Sequence, residues 1–411
     1  MIIPVKVNNP FGTMKFNRKV HQIEAKDVLK TVVNKITELL LYLTCFFPFV
    51  SFIYTGSDTQ PYAAIWAMFV LVCLLLFREI KVSRVVLVLI GCCLVMGAFA
   101  ITGIGQLPFL QLASGAFSYI TLITVPLATF LIMKKNGWNE TLVKIFIWVW
   151  FCVGFIQKYI EPTFAYSILS RHTTSSTRGV VSLATEPSAY GYMCIFMLVL
   201  AFSFKENKYV YMFNLLIQIV LFAGSSVTLI YLAVYLGMII LNEIVLHKRF
   251  AFIKTACLAI GGIGAFVMLY KYIPRSNRIG ALLYYLMNDP KRFFMDGSIK
   301  LRIDAIVYSF QGFIENNGLP HGISETRIMS GVGGLFYECG FIALIILAAI
   351  AIIIWKGYPV KTRFIFTAGF MVIMISSIPF TAPLVSFYLG FCLYQGWLRE
   401  QEKKSESIVD M

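Results

Sequence analysis

Long apolar runs recur along the whole chain, and short polar segments separate them. A run of about 20 apolar residues has the length that an α-helix needs to cross the hydrocarbon core of a bilayer. We predict about twelve such spans, at residues 36–55, 62–78, 85–103, 116–133, 141–160, 187–204, 209–223, 226–243, 250–270, 334–355, 364–378 and 381–397. The pattern therefore predicts an all-α integral membrane protein, in which residues 1–411 form a single polytopic membrane domain.

The polar connections alternate in charge along the chain. One set carries the basic residues Arg78, Lys81, Arg84, Lys134, Lys135, Lys205, Lys208, Lys248, Arg249, Lys356, Lys361 and Arg363. The short connections of the other set, at residues 56–61, 104–115, 224–225 and 379–380, contain no lysine or arginine. By the positive-inside rule the basic side is cytoplasmic. We therefore expect both the N-terminal segment 1–35 and the C-terminal tail 398–411 inside the cell.

Two connections on the outer side are long and rich in arginine, residues 161–186 (the first loop) and residues 271–333 (the second loop). Long loops cross the membrane largely regardless of their charge, so this orientation holds. In the second loop, apolar residues recur at helical spacing at Ile299, Ile303, Ile306, Val307, Phe310 and Ile314. The spacing predicts an amphipathic helix that lies on the bundle. Arg302 borders this stripe, where it either snorkels to lipid phosphate or contacts a ligand.

Composition supports the membrane assignment and narrows the classes of partner. The chain is 59% hydrophobic and 13% charged, which leaves too much apolar surface for a fold in water. Its net charge of +15 comes largely from basic residues beside apolar runs, which are topology signals, so we predict no nucleic-acid partner. The 9 cysteines form no C-x-x-C pair and are typical of small core residues.

The first loop carries a dense polar cluster from Arg171 to Gly179, followed by Thr185-Glu186-Pro187-Ser188. Glu186 before Pro187 is typical of a helix start, with the carboxylate near the positive end of the helix dipole. That interpretation accounts for Glu186 alone. Arg171 and Arg178 would place planar, bidentate donors just outside the membrane, where the phosphates of a lipid carrier lie.

The second loop carries a second cluster, with Arg275, Arg278 and Arg302 followed by Gly318-Leu319-Pro320-His321-Gly322. Glycines beside a membrane span allow a ligand to approach the backbone closely. His321 lies in a loop between Pro320 and Gly322, where it is either inert or a group that moves a proton.

Several catalytic motifs are missing from the sequence. There is no Asp-x-Asp, no H-E-x-x-H, no Walker loop and no Gly-x-Ser-x-Gly. A metal-held nucleotide-sugar donor, an ATP-driven pump and a serine hydrolase are therefore not predicted. What remains is a site without metal or cofactor, in which arginines hold a pyrophosphate and one carboxylate or imidazole moves a proton.

At these residues the sequence resembles the Wzy family of O-antigen and related polysaccharide polymerases. The resemblance is carried by Thr177-Arg178-Gly179 with Thr185-Glu186-Pro187-Ser188, and by Gly297-Ser298-Ile299-Lys300-Leu301-Arg302 with Gly318-Leu319-Pro320-His321-Gly322. The similar plan of many spans with two large outer loops covers essentially the whole chain. The Arg-x10-Gly spacing of some members is not kept, because nine residues separate Arg302 from Gly312. Catalytic roles are therefore not copied from that motif.

The resemblance implies a GT-C membrane glycosyltransferase in the bacterial inner membrane. Such an enzyme transfers a growing glycan from undecaprenyl-pyrophosphate to the non-reducing end of a lipid-linked repeat unit, on the periplasmic face. We expect Arg178 and Arg302 as the pyrophosphate ligands, with Arg171, Arg275 and Arg278 as weaker candidates. His321 is the first candidate base and Glu186 the second. A direct attack would invert the anomeric configuration, and a Wzz-type chain-length regulator is a possible partner.

Two alternatives remain open on the sequence. An O-antigen ligase would share the carrier, the arginines and the membrane plan, but would deliver the glycan to lipid A core. A lipid-linked oligosaccharide flippase or other transporter should carry ionisable residues within its spans. The predicted spans appear to have almost none, since Lys144 and Lys254 lie near cytoplasmic ends. This pattern favours the polymerase over transport.

Overall fold

The fold was analysed in a computed structural model, which describes residues 31–51, 60–76, 84–102, 107–173, 179–246, 278–326, 328, 330–375 and 378–409. Scattered positions between 253 and 275 are also described. All regular elements within these residues are helices, which confirms the all-α prediction. The predicted N-terminal segment 1–35 lies largely outside the described residues, as does Arg178.

The helices follow one another with short connections. They are α1 (31–46), α2 (Tyr62–Leu76), α3 (Arg84–Thr102), α4 (Phe109–Asn136), α5 (Glu140–Tyr159), α6 (Pro187–Ala201), α7 (Lys208–Ile217), α8 (Ser226–Leu246), a segment α9 with helical residues at scattered positions between 253 and 272, α10 (Arg278–Asn288), α11 (Pro290–Phe294), α12 (Gly297–Glu315), α13 (Gly331–Cys339), α14 (Ile342–Gly357), α15 (Arg363–Ile375) and α16 (Pro383–Val409). A 3₁₀ turn covers Tyr166–Ile168, and a π-helix, Gln218–Ala223, continues α7.

Most predicted apolar runs coincide with helices, but two of them end early or break. The first run was predicted over 36–55, and its helix ends at residue 46. Pro48 disfavours helix at the residue before it. The chain then pairs with the first loop, where Ser51 N donates to Ile168 O at 2.8 Å and Ser170 N donates to Phe49 O at 3.2 Å.

The run predicted over 334–355 is divided into α13 and α14. Gly340 ends α13 with φ +55°, a left-handed conformation that favours glycine. A Cβ at Gly340 would collide with the carbonyl oxygen of Gly318, so only glycine allows this approach. Phe341 N donates to the same Gly318 carbonyl at 2.9 Å. The second loop therefore fixes the position of the break.

Helix α4 is the centre of the bundle. It packs against α2, α3 and α16, and α14 packs against α3, α15 and α16. Gly390 of α16 lies against the Pro126 carbonyl and Thr129 of α4, which brings these two helices close together. By length and composition, Gln111–Asn136 and Glu140–Tyr159 can cross a membrane. The larger number of crossings stays a prediction.

Segments predicted on the same side contact one another. At the predicted cytoplasmic end, Asn136 Nδ2 and Asn139 Nδ2 donate to the Glu38 carboxylate at 2.8 and 3.1 Å. At the predicted outer end, Val180 N of the first loop donates to Phe222 O at 2.9 Å. The connections therefore form groups that match the predicted sides.

The amphipathic helix predicted in the second loop is α12, but its packing differs from the prediction. Its buried face contains Ile299, Ser309 and Gly312. The apolar stripe points away from the bundle, with Val307 48% and Ile314 71% exposed. The small residues are buried because they admit the neighbouring helix α13, as shown below for Gly312. The stripe therefore lies outside the packed core.

Candidate functional site

The end of the second loop, residues 318–326, returns across α13, and we call it the return segment. His321 N donates to Tyr337 O at 3.1 Å, and Ser324 N donates to Glu338 Oε1 at 3.2 Å. Gln111 Nε2 at the start of α4 donates to Ser324 O at 2.5 Å. The return segment is thus attached to two consecutive residues of α13 and to α4.

His321 is held on three sides. Its Nε2 lies 2.9 Å from the carbonyl oxygen of Gly312. Because a carbonyl oxygen only accepts hydrogen bonds, Nε2 carries the proton in this contact. Its Nδ1 lies 3.8 Å from Glu325 Oε2, and its ring stacks on Tyr337 with 4.1 Å between centroids. In a neutral imidazole, Nδ1 is therefore the nitrogen that can accept a proton.

Gly312 is the position on α12 that admits these rings. A Cβ there would lie 2.7 Å from the Tyr337 ring and 3.3 Å from His321 Nε2. A side chain would therefore push the imidazole off the Gly312 carbonyl. The glycine orients His321 through its backbone and its lack of a side chain.

The predicted arginines do not gather around His321 in the described contacts. Arg302 is half-buried on α12, and the ten positions from Arg302 to Gly312 correspond to about 15 Å along a helix axis. The Arg275 guanidinium lies over the Tyr284 ring, 4.0 Å from its centroid. Arg171 is exposed just after the segment that pairs with α1. Arg278 begins α10, and its side chain lies outside the described part of the chain, as does the whole of Arg178.

Glu186 lies at the helix start that the sequence predicted. It is the N-cap residue of α6, with Pro187 in the first helical position. Its side chain caps no backbone N–H, and its Oε1 accepts a hydrogen bond from Ser188 Oγ at 2.5 Å. Helix α6 packs on α5, α7, α8 and α16, whereas α12 and α13 pack on each other. No described contact joins Glu186 to His321, so the two candidate bases belong to separate regions.

A buried cluster holds the first loop to the bundle. Gln157 Nε2 donates to Phe164 O at 2.8 Å and to Ser182 O at 2.9 Å, and Gln157 Oε1 accepts from Ser182 N at 2.6 Å. Ser182 Oγ donates to Trp150 O at 2.9 Å. Each polar atom of the Gln157 side chain is therefore satisfied, which is typical of a structural network.

A second ionisable group lies behind the return segment, and the sequence analysis missed it. Tyr119 Oη donates to Glu338 Oε2 at 2.5 Å, while Ser324 N donates to Glu338 Oε1. Glu338 lies inside the run predicted over 334–355, so the statement that the spans carry almost no ionisable residue needs correction. A lone acid in an apolar run is a signal for function, and it was available in the sequence.

Glu338 opens on a cavity of about 130 Å³. The cavity is lined by Gly115, Ser118, Tyr119, Ser324, Ile328, Ser330, Gly331, Gly334, Leu335, Glu338, Pro379, Phe380 and Thr381. These residues come from three segments predicted on the outer side, 104–115, 271–333 and 379–380, and from the adjoining helix ends. The cavity therefore lies where those segments meet.

No metal-binding group stands out in the part of the chain that the structure describes. Within those residues, no three His, Cys, Asp or Glu side chains come together to hold an ion. The prediction of a reaction without metal or cofactor remains a prediction, because ligands are absent from the description of the chain.

Comparison with known proteins adds no further assignment. No family model matches the chain, and neither a curated protein nor a solved structure does. The resemblance to Wzy polymerases therefore rests on the short segments quoted above and on the plan of spans and loops.

Proposed function

We propose that the chain is an inner-membrane glycosyltransferase that polymerises lipid-linked repeat units on the periplasmic face. It transfers a growing glycan from undecaprenyl-pyrophosphate to the non-reducing end of one lipid-linked unit. The observation that carries the proposal is the oriented His321, with Nε2 on the Gly312 carbonyl and Nδ1 facing Glu325. This arrangement suits a general base better than an inert loop residue.

In the proposed reaction, Nδ1 of the neutral His321 takes the proton of the acceptor hydroxyl. The acceptor oxygen forms its bond to the anomeric carbon while the bond from that carbon to the pyrophosphate oxygen breaks. The electron pair leaves with the pyrophosphate, and the anomeric configuration inverts. The nearby Glu325 carboxylate stabilises the imidazolium that results, because opposite charges at 3.8 Å attract each other.

The arginines have the role of binding the leaving pyrophosphate, since guanidinium groups match phosphate oxygens bidentately. Arg302 and Arg178 remain the first candidates, with Arg171, Arg275 and Arg278 as the weaker ones. Arg302 is about 15 Å from Gly312 along the helix axis. Its long side chain must therefore extend toward the return segment, or α12 must shift, when both substrates are bound.

The membrane setting of the proposal is supported by the surface of the bundle. Leu94 is 70% and Phe213 is 65% exposed, and many other large apolar side chains share this exposure. Large exposed apolar surfaces are rare on soluble monomers and common where lipid covers the protein. The outward apolar stripe of α12 suits the boundary between the headgroups and the acyl chains.

The test is an assay with purified protein and one synthetic undecaprenyl-pyrophosphate repeat unit, without added metal or nucleotide. A ladder of products on a gel is expected for a polymerase. Transfer that occurs only when lipid A core is added would instead identify a ligase. If neither condition yields a covalent product, a flippase or other transporter is the better assignment.

A matched pair of variants connects the assay to the site. His321→Ala should abolish the ladder, whereas Glu315→Gln, at the exposed end of α12, should leave it unchanged. Co-expression with a Wzz-type regulator should change the modal length of the products without changing their linkage. A His321→Ala protein that still makes long chains would remove this residue from the reaction.

A further inference from the structure

The cavity at Glu338 has no role in the reaction proposed above. Its volume of about 130 Å³ is well above the space of about 10–15 Å³ that one water molecule requires. It is lined by a carboxylate and by the hydroxyl side chains of Ser118, Tyr119, Ser324, Ser330 and Thr381. An enclosed region with this concentration of hydrogen-bonding groups is suited to a polar ligand.

The lining combines acceptors, donors and apolar surface. Each oxygen of Glu338 accepts one hydrogen bond, from Tyr119 or from Ser324, and a carboxylate oxygen can accept a second. Leu335 and Phe380 provide apolar walls beside it. A sugar ring presents hydroxyl groups at its edge and C–H groups on its faces, so it matches both kinds of lining. A cation would lack further charged ligands, since Glu338 is the only carboxylate in the lining described.

The way in which the walls are built keeps this space open. A Cβ at Gly115 would collide with Ile323 and Ser324, so this glycine lets the return segment approach α4. A Cβ at Gly331 would collide with the carbonyl oxygens of Met374 and Ile378. At Gly334 the nearest atom to an added Cβ is Ile328 Cβ at 4.0 Å. Two glycines thus close the walls, while the third faces empty space.

The return segment is also strained where it covers the cavity. Ser324 has φ 62°, a left-handed conformation that a residue with a side chain rarely adopts. Its N–H is bound by Glu338, and its carbonyl oxygen is bound by Gln111. Backbone strain that neighbouring groups maintain in this way is frequent at ligand sites.

We propose that this cavity binds the terminal sugar of the acceptor repeat unit, with Glu338 accepting hydrogen bonds from its hydroxyl groups. The inference rests on the proposed function, because the acceptor is a glycan only if that function holds. The geometry links the two sites, since His321 and Ser324 are attached to the consecutive residues Tyr337 and Glu338. A sugar in the cavity would therefore lie next to the face of α13 that holds the base.

The direct test measures binding without catalysis. The probe is the repeat-unit oligosaccharide released by mild acid from the lipid-linked pool of the producing cells, which carries no lipid. Its affinity for the purified full chain in nanodiscs is measured by calorimetry. We expect measurable binding to the unaltered protein, and a loss of about ten- to a hundredfold in Glu338→Gln, which removes a charged hydrogen-bond acceptor.

Gly334→Leu gives an independent test that does not touch the carboxylate. Its side chain would occupy the cavity, and the open space at this position predicts that α13 still folds. We expect Gly334→Leu to lose binding by at least about tenfold, and Gly334→Ala to lose less. The control Glu315→Gln removes a carboxylate at the exposed end of α12 and should keep the affinity of the unaltered protein.

The outcomes separate this inference from the proposed function. Absence of oligosaccharide binding to the unaltered chain, or unchanged affinity in both Glu338→Gln and Gly334→Leu, would overturn the sugar site. If those variants lose binding but the unaltered chain makes no ladder, the glycan site stands and the polymerase assignment falls. If the ladder forms, we expect Gly334→Ala to raise KM for the acceptor and leave kcat unchanged. A fall in kcat alone would argue against acceptor binding in the cavity.

Discussion

Both outer loops are held by a glutamine, but the two attachments differ in kind. Gln157 is 1% exposed and makes three hydrogen bonds to the first loop, at Phe164 and Ser182. Gln111 lies at the surface and makes one described hydrogen bond, to Ser324 of the return segment. The first attachment is buried and saturated, whereas the second is exposed and holds a strained residue above a cavity. The comparison suggests that the first loop serves stability and the second serves chemistry.

The largest expected effect falls on the second loop. His321→Ala removes the proposed base, so we expect turnover to fall about 100- to 10,000-fold, the usual contribution of a general base. The measurement is the rate of ladder formation with the purified variant. Glu186→Gln, in the first loop, should change the rate far less. If Glu186→Gln has the greater effect, the roles of the two loops are exchanged and Glu186 is the base.

The next effect falls on the first loop and concerns stability. Gln157→Ala leaves the buried N–H and carbonyl groups of Ser182 without their partner, at about 1–3 kcal/mol for each buried polar group left unpaired. We expect a clear fall in the thermal unfolding temperature in detergent. Gln111→Ala is the matched control, and it should leave that temperature nearly unchanged. Equal destabilisation by both variants would abolish the distinction between the attachments.

A smaller effect is expected at Gly312. Gly312→Ala places a methyl group 2.7 Å from the Tyr337 ring, and overpacking of this kind usually destabilises by about 1–3 kcal/mol. The ring of His321 should also leave the Gly312 carbonyl, so we expect kcat to fall. Gly297→Ala, where an added Cβ meets nothing within 4 Å, is the control. Normal kcat in Gly312→Ala would show that the imidazole needs no such orientation.

The smallest effect is expected at the strained serine. Ser324→Gly relieves a left-handed conformation, so it should stabilise the chain by up to about 1 kcal/mol, with the added freedom of the unfolded glycine partly offsetting the gain. The measurement is again the thermal unfolding temperature. A marked loss of stability would mean that the Ser324 side chain has a structural role.

The helices were predictable wherever the sequence itself determines them. The run predicted over 141–160 is α5 (Glu140–Tyr159), because its polar ends and apolar interior are adjacent in the chain. The break at Gly340 was not predictable in this way. Its cause is the Gly318 carbonyl, which lies in another loop and leaves no mark on the uniformly apolar run around it.

The packing of α12 shows a second limit. Its apolar periodicity predicted the helix correctly, but the prediction that the stripe faces the bundle was wrong. In a chain surrounded by lipid, apolar residues face outward at no penalty, and small residues such as Ser309 and Gly312 pack against neighbouring helices. Periodicity therefore identified the element and assigned its buried side incorrectly.

The candidate site could be predicted only in part. Residue type and loop context were enough to select His321, whereas its tie to Gly312 depends on how α12 and α13 cross. Glu338 was missed because it lies inside an apolar run, where attention was on the length of the run. Charged residues within such runs deserve the same scrutiny as polar loops.

The π-helix after α7 has a consequence for the register of the chain. There Gly224 N donates to Ile219 O, five residues back, so this turn holds one more residue than an α-helical turn would. Deleting one residue between Gln218 and Ala223 would restore the usual winding and rotate every later position by about 100°, since an α-helix has about 3.6 residues per turn. The Phe222 carbonyl would then turn away from Val180 and release the end of the first loop. The extra residue thus acts as a phase adjustment that aligns α8 and the loop beside it.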